Sequence, residues 1–241
     1  MGGFMSKLKK IIIASVLFLI VGIGIVFGIK FYLIEKIDDQ FYKYETAYIE
    51  LEKLDLDKVQ VKGDKHTAIE TDQIKYIIPI ENGKVEKKST SSGEIAKASF
   101  DDDKYVINTN VSEFFTEDWA STLDSSTRKQ AKKVFGSDLY SSGYEFLKTF
   151  YSYTPNKLSL TSSFADITTC KIALTCKTLL VPGKPKKIYY FESKNLKGFM
   201  HSGDSDINLL VFPDDNTSCT ILIKNLTEDD AKQILASIEF K

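Results

Sequence analysis

Ile207-Asn-Leu-Leu-Val-Phe212, Pro213-Asp-Asp-Asn216 and Cys219-Thr-Ile-Leu-Ile-Lys224 follow one another near the C-terminus. Two apolar runs of strand length flank a turn sequence, which is the pattern of an antiparallel hairpin. Thr227-Glu-Asp-Asp230 then caps a helix, and Ala231, Ile234, Leu235 and Ile238 fall at spacings 0, 3, 4 and 7 on one buried face of it. Working back from the hairpin, Lys187-Ile-Tyr-Tyr-Phe-Glu192 reads as a strand, Asn195 to Gly198 as a turn, and Phe199-Met200 as the start of another strand. Antiparallel strands with segregated helices, rather than strands alternating with helices, predict the α+β class: an antiparallel sheet with helices packed on it.

Further upstream the middle of the chain is helical. Ser125 to Phe135 is a basic amphipathic stretch stopped by Gly136. Ser142-x-x-Glu145 is a capping box opening Tyr144–Tyr151, with Pro155 just beyond, and Ser163-x-x-Asp166 opens a helix to about Leu180 that Pro182-Gly183 ends. Earlier still, Lys58-Val-Gln-Val-Lys62, Gln73–Ile80 and Lys104–Asn108 read as strands, with Asn82-Gly83 a turn and Lys84 to Ser92 a polar loop or edge hairpin arm. Tyr76-Ile-Ile-Pro-Ile80, the mid-chain helices, the Ile188–Phe191 strand, the hairpin Ile207–Ile223 and the terminal Ala231-x-x-Ile-Leu-Ala-Ser-Ile-Glu-Phe240 together resemble the PsbP-like α/β/α sandwich. In that family an early strand carries an Ile-Pro element and a helix ending in Ser-Ile-x-Phe closes the chain. The resemblance spans roughly residues 65–241 and implies a non-catalytic module that binds another protein. The chain departs from the plant members in its N-terminal apolar segment, and no binding residue of the family carries over.

That segment, residues 11–29, reads IIIASVLFLIVGIGIVFGI, 19 residues without a charge. At about 1.5 Å per residue a helix of this length nearly matches a hydrocarbon layer of about 30 Å. Phe31 and Tyr32 follow at the place of an interfacial aromatic belt, and Lys30 is positioned to snorkel. The run exceeds a signal-peptide core and no small-residue cleavage site follows, so an uncleaved anchor is expected. Lys7, Lys9 and Lys10 crowd its upstream end. The expected layout is a cytoplasmic tail over 1–10, a transmembrane helix over 11–34, a helical stem over 35–57 and an extracytoplasmic α+β domain over 58–241, in the cell membrane. Ile34, Ile37, Phe41, Tyr44, Tyr48 and Leu51 form a helical stripe along the stem. Two heptads are short for a coiled coil, so the stripe is expected to pack on the chain's own domain, with a homodimer through the stem as the alternative.

Chemistry is sparse. The 241 residues carry a net charge of −1, and the part beyond Lys30 carries 33 acids against 28 bases, which excludes a basic nucleic-acid-binding surface. His66 and His201 are 135 residues apart and in no metal or catalytic spacing, and both are expected at the surface. Asp204-x-Asp206-x-Asn208 begins like a calcium loop but has Leu209 where glycine is needed and Asp215 where a bidentate glutamate belongs. Cys170 and Cys176 lie on diverging faces of one helix and cannot pair with each other, and Cys219 lies on a strand from which it could meet either; the odd set of three favours buried thiols over a bridge. Asn110, Asn216 and Asn225 begin glycosylation sequons that matter only in a eukaryotic secretory pathway, while the Lys/Ile-rich composition points to a bacterial source. No catalytic, cofactor-binding or metal-ligating residue is assigned. The expected function is a single-pass, membrane-anchored module that binds an envelope protein. The alternatives are a hydrolase using His66 or His201 and a small-ligand domain lined by the aromatic helix Phe146–Tyr153; Phe114–Trp119 is a further candidate partner surface.

Overall fold

The computed structural model describes the chain apart from residues 1, 62–64, 115–120 and 122. It opens with one unbroken helix, α1 (Gly2–Phe41), about 60 Å long at 1.5 Å per residue. Its portion from Ile12 onward is long and apolar enough to cross a membrane, and none of the apolar window is covered by the rest of the chain. The helix ends at Phe41, short of the stem expected over 35–57. Ile37 and Phe41 are buried against Ile167, Cys170 and Leu174, so the apolar stripe is satisfied by the chain's own domain at that point. Beyond it the backbone turns through α2 (Glu45–Tyr48) into a strand, β1 (Leu51–Lys53). Strand pairing overrides the helical pattern here, because Leu51, Glu52 and Lys53 lie in register with Ile188, Tyr189 and Tyr190 and form ladder bonds that a free helix end would lack.

The remaining strands are β2 (Thr67–Glu70), β3 (Ile74–Ile78), β4 (Lys84–Thr90), β5 (Gly93–Ser99), β6 (Tyr105–Asn108), β7 (Ser112–Glu113), β8 (Lys187–Glu192), β9 (Lys197–Ser202), β10 (Asp206–Phe212), β11 (Thr217–Lys224) and β12 (Glu239–Phe240). The helices between and after them are α3 (Ser125–Phe135), α4 (Gly143–Tyr151), α5 (Phe164–Leu180) and α6 (Glu228–Ala236). A nine-stranded sheet runs β1-β8-β9-β10-β11-β6-β5-β4, with β7 on β11. Among the described residues of this sheet only the β1–β8 pair is parallel. The sheet therefore joins two antiparallel meanders, one from each half of the chain, through β6 and β11. The polar stretch 84–92 supplies its outer edge, where β4 is exposed along its whole length.

Helices α3, α4 and α5 cover one face of this sheet. The other face is covered by α6 and a small sheet, β12-β3-β2. The helix starts follow from their caps: Asp124 accepts from the Ser126 and Thr127 amides, and Ser163 and Thr227 each form a full capping box with the acid three residues on. Three expectations are corrected. Leu56–Lys58 is a 3-10 turn and residues 59–61 have no regular structure, so the strand expected from Lys58 is absent over 58–61, and its last residue lies outside the described residues. The turn before β9 is Ser193–Leu196, closed by a 2.8 Å bond from the Ser193 amide to the Leu196 carbonyl, and Lys197 already pairs. The final helix stops at Ala236, after which Glu239 and Phe240 pair with Lys75 and Ile74, so a strand closes the chain.

Candidate functional site

The described features of chemical interest gather on the α3–α4–α5 face, where α1 joins the domain. Lys177 sits on the apolar stripe of α5 that also carries Cys170, Ala173, Leu174 and Leu180. Its side chain is fully buried, and its Nζ donates to the Ile49 carbonyl at 2.5 Å and the Tyr153 carbonyl at 2.8 Å. Burial without a carboxylate partner lowers its pKa to about 8. One ammonium thus ties the segment after α1 to the end of α4. The Tyr48 hydroxyl donates to the Asp38 carboxylate and closes the turn that follows α1. Burial, helped by that carboxylate, raises the Tyr48 pKa to about 12. Between α1, α3 and α5 runs a groove of about 520 Å³, lined by Leu33, Ile37, Ile167 and Ile172 and edged by Lys36 and Lys171.

Sequence reasoning missed Lys177, although a signal exists: a lysine stands seven residues after Cys170, in phase with the buried stripe. It also placed His201 wrongly. His201 is the penultimate residue of β9, an interior strand, opposite Ile188 and Asn208, and 1 % exposed rather than at the surface. Its ring stands edge-on to Tyr151 at 5.4 Å between centroids, and neither ring nitrogen has a hydrogen-bond partner. Burial lowers its pKa to about 4, so it is neutral at physiological pH. A polar cavity of about 390 Å³ opens beside it, walled by Pro182, Lys184, Asp204 and Asn208.

Among the described residues no hydroxyl or carboxylate is hydrogen-bonded to His201, and His66 is exposed in the approach to β2. Asp204 pairs with Lys186 while Asp206 and Asn208 belong to β10, and no group of three His, Cys, Asp or Glu residues among those described could hold a metal ion. The three cysteines are free and buried, and burial raises Cys170 to about 11 and Cys176 and Cys219 to about 12. They are protonated, unreactive thiols. The aromatics of α4 do not line a ligand groove: Phe146, Phe150 and Tyr151 are fully buried, with Phe146 and Phe150 edge-on at 5.1 Å. The candidate surface at Phe114–Trp119 lies, beyond Phe114, outside the described residues.

No family model, curated protein or solved structure matches this chain.

Proposed function

We propose that this chain is a single-pass membrane-anchored module that presents its α+β domain outside the cytoplasmic membrane and binds an envelope protein there. In this reading residues 1–10 are cytoplasmic, α1 crosses the bilayer, and the domain acts by contact rather than by catalysis, as the resemblance to PsbP-like domains implies. The observation that carries it is the form of α1. It is an apolar rod that no other part of the chain covers, continuous with a segment that enters the domain core at Ile37 and Phe41. An apolar helix of that length left in water would be a liability, and the lipid core is the environment that matches it.

The test combines topology with capture. Protease added to intact spheroplasts is expected to digest the domain while sparing a tag on the N-terminus. In-cell crosslinking of the full-length protein is expected to recover a defined envelope partner that disappears when the domain is deleted. Digestion only after permeabilisation would reverse the orientation, and recovery of the chain alone would replace the binding reading with self-association.

A further inference from the structure

The way α1 meets the domain sets the height of a particular loop. The uninterrupted apolar run ends at Ile29, and Lys30 is the next residue. Its Nζ donates to the Leu160 carbonyl at 3.3 Å and lies 5.6 Å from the centre of the Phe164 ring. Four residues on, Ile34 packs with Leu158, and further along Ile37 and Phe41 pack with Ile167, Cys170 and Leu174. Helices α1 and α5 therefore run side by side in the same direction, and the contacts climb both helices together. Among the contacts described between α1 and the domain, those of the loop 159–164 that leads into α5 lie nearest the end of the apolar run.

We propose that this loop lies in the headgroup layer of the bilayer that α1 crosses, with Leu160 and Phe164 as its lipid contacts. The inference rests on the membrane-anchor reading above. Its geometry follows from continuity: a segment bonded to the first residue beyond a hydrocarbon-spanning run is held at the interface, because one helical residue rises only about 1.5 Å. The side chains fit that place. Leu160 and Phe164 are 40 % and 43 % exposed, large apolar groups open to the surroundings. Phe31 and Tyr32 stand at the same level on α1, each 58 % exposed, and complete an aromatic belt. Beside and between them the loop offers Ser159, Thr161, Ser162 and Ser163, small hydroxyl side chains suited to a hydrated headgroup zone. At the other end of α5, about 25 Å higher by helical rise, Pro182 to Lys184 are clear of the surface. The domain is thus seated on the membrane with one end down.

Single Leu160→Cys and Phe164→Cys variants of the full-length chain, labelled with an environment-sensitive fluorophore, test this in nanodiscs of phosphatidylcholine and phosphatidylglycerol carrying a lipid-bound quencher. The native cysteines are buried and protected from the label. Ile20→Cys, within α1, reports the anchor itself, and Lys184→Cys reports the raised end. Strong quenching at 20, with 160 and 164 quenched several-fold more than 184, is the expected result. Quenching at 20 with 160 and 164 no greater than 184 overturns the seating and leaves the anchor intact. No quenching at 20 removes the anchor and the seating with it.

Discussion

The two faces of the large sheet are built on different principles. The face under α6 and the small sheet is chiefly aliphatic: Ile207, Leu209, Val211, Ile221 and Ile223 meet Ile69, Ile74, Ile78, Ile234 and Leu235. The face under α3, α4 and α5 is largely aromatic, with Phe199 against Tyr144 and Tyr151 at 5.1 Å and Phe212 beside them. It is also the face that buries Lys177 and His201. Aliphatic burial is non-directional and tolerates small shifts, whereas stacked rings and a buried ammonium on two carbonyls fix an orientation. The directional chemistry lies where α1 docks, so one face supplies cohesion and the other sets the position of the helix on the domain.

The largest effect should come from breaking the aromatic face. Phe199→Ala is expected to cost about 3–5 kcal/mol in urea unfolding of the full chain in detergent, about 1 kcal/mol more than the matching truncation Ile221→Ala on the aliphatic face, the excess being the lost ring contacts. Equal costs would erase the distinction. His201 tests the buried imidazole. Its folded pKa of about 4 lies below the ordinary 6.5, so the unfolded chain binds more protons between those values and stability falls as pH drops through that window. The loss should approach about 3 kcal/mol by pH 4 and be absent in His201→Phe, read as the difference in unfolding free energy between the two proteins.

Lys177 gives the same sign in another window. Its folded value of about 8 lies below 10.5, so the wild type should gain stability as pH rises between them, by a comparable amount, while Lys177→Met should not. The variant also strands the Ile49 and Tyr153 carbonyls, and faster amide exchange at Leu51–Lys53 is expected in it; unchanged exchange there would mean that Lys177 does not hold the docked segment. The smallest changes compare the helix starts. Ser163→Ala below α5 and Thr227→Ala below α6 should each cost about 1 kcal/mol in thermal unfolding, since the same capping box serves both faces. A much smaller cost at Ser163 would place the start of α5 outside the cooperative unit.

Elements with self-contained signals were legible in the chain. The hairpin of β10 and β11 and the capped starts of α5 and α6 are encoded within a few residues, and the structure has them within about two residues of the expected bounds. The long apolar helix was equally plain, although its end at Phe41 was not. What escaped is specified by distant partners. Gly93-Glu-Ile-Ala-Lys-Ala-Ser99 is poor in β-branched residues and forms β5 because β4 and β6 flank it. Leu51-Glu-Lys53 is charged and in helical phase, and only β8, far along the chain, makes it a strand. His201 is followed by Ser-Gly-Asp-Ser, which looks like a surface turn, yet its neighbours on β8 and β10 place it mid-sheet under Tyr151. Lys177 was readable by phase alone, but a lysine on an apolar stripe gains its meaning only from the carbonyls that meet it.

The parallel pairing of β1 with β8 also orders events in time. Leu51 must find Ile188, a strand that emerges from the ribosome long after α1 has been made. Domains form as their chain is synthesised, and contacts between remote segments close late because a long loop must first be brought together. The apolar helix is therefore complete while the strand that β1 will pair with does not yet exist. Each newborn chain passes through a stage in which α1 is complete and β1 is unpaired, and the pairing of β1 with the sheet closes only after β8 has been made.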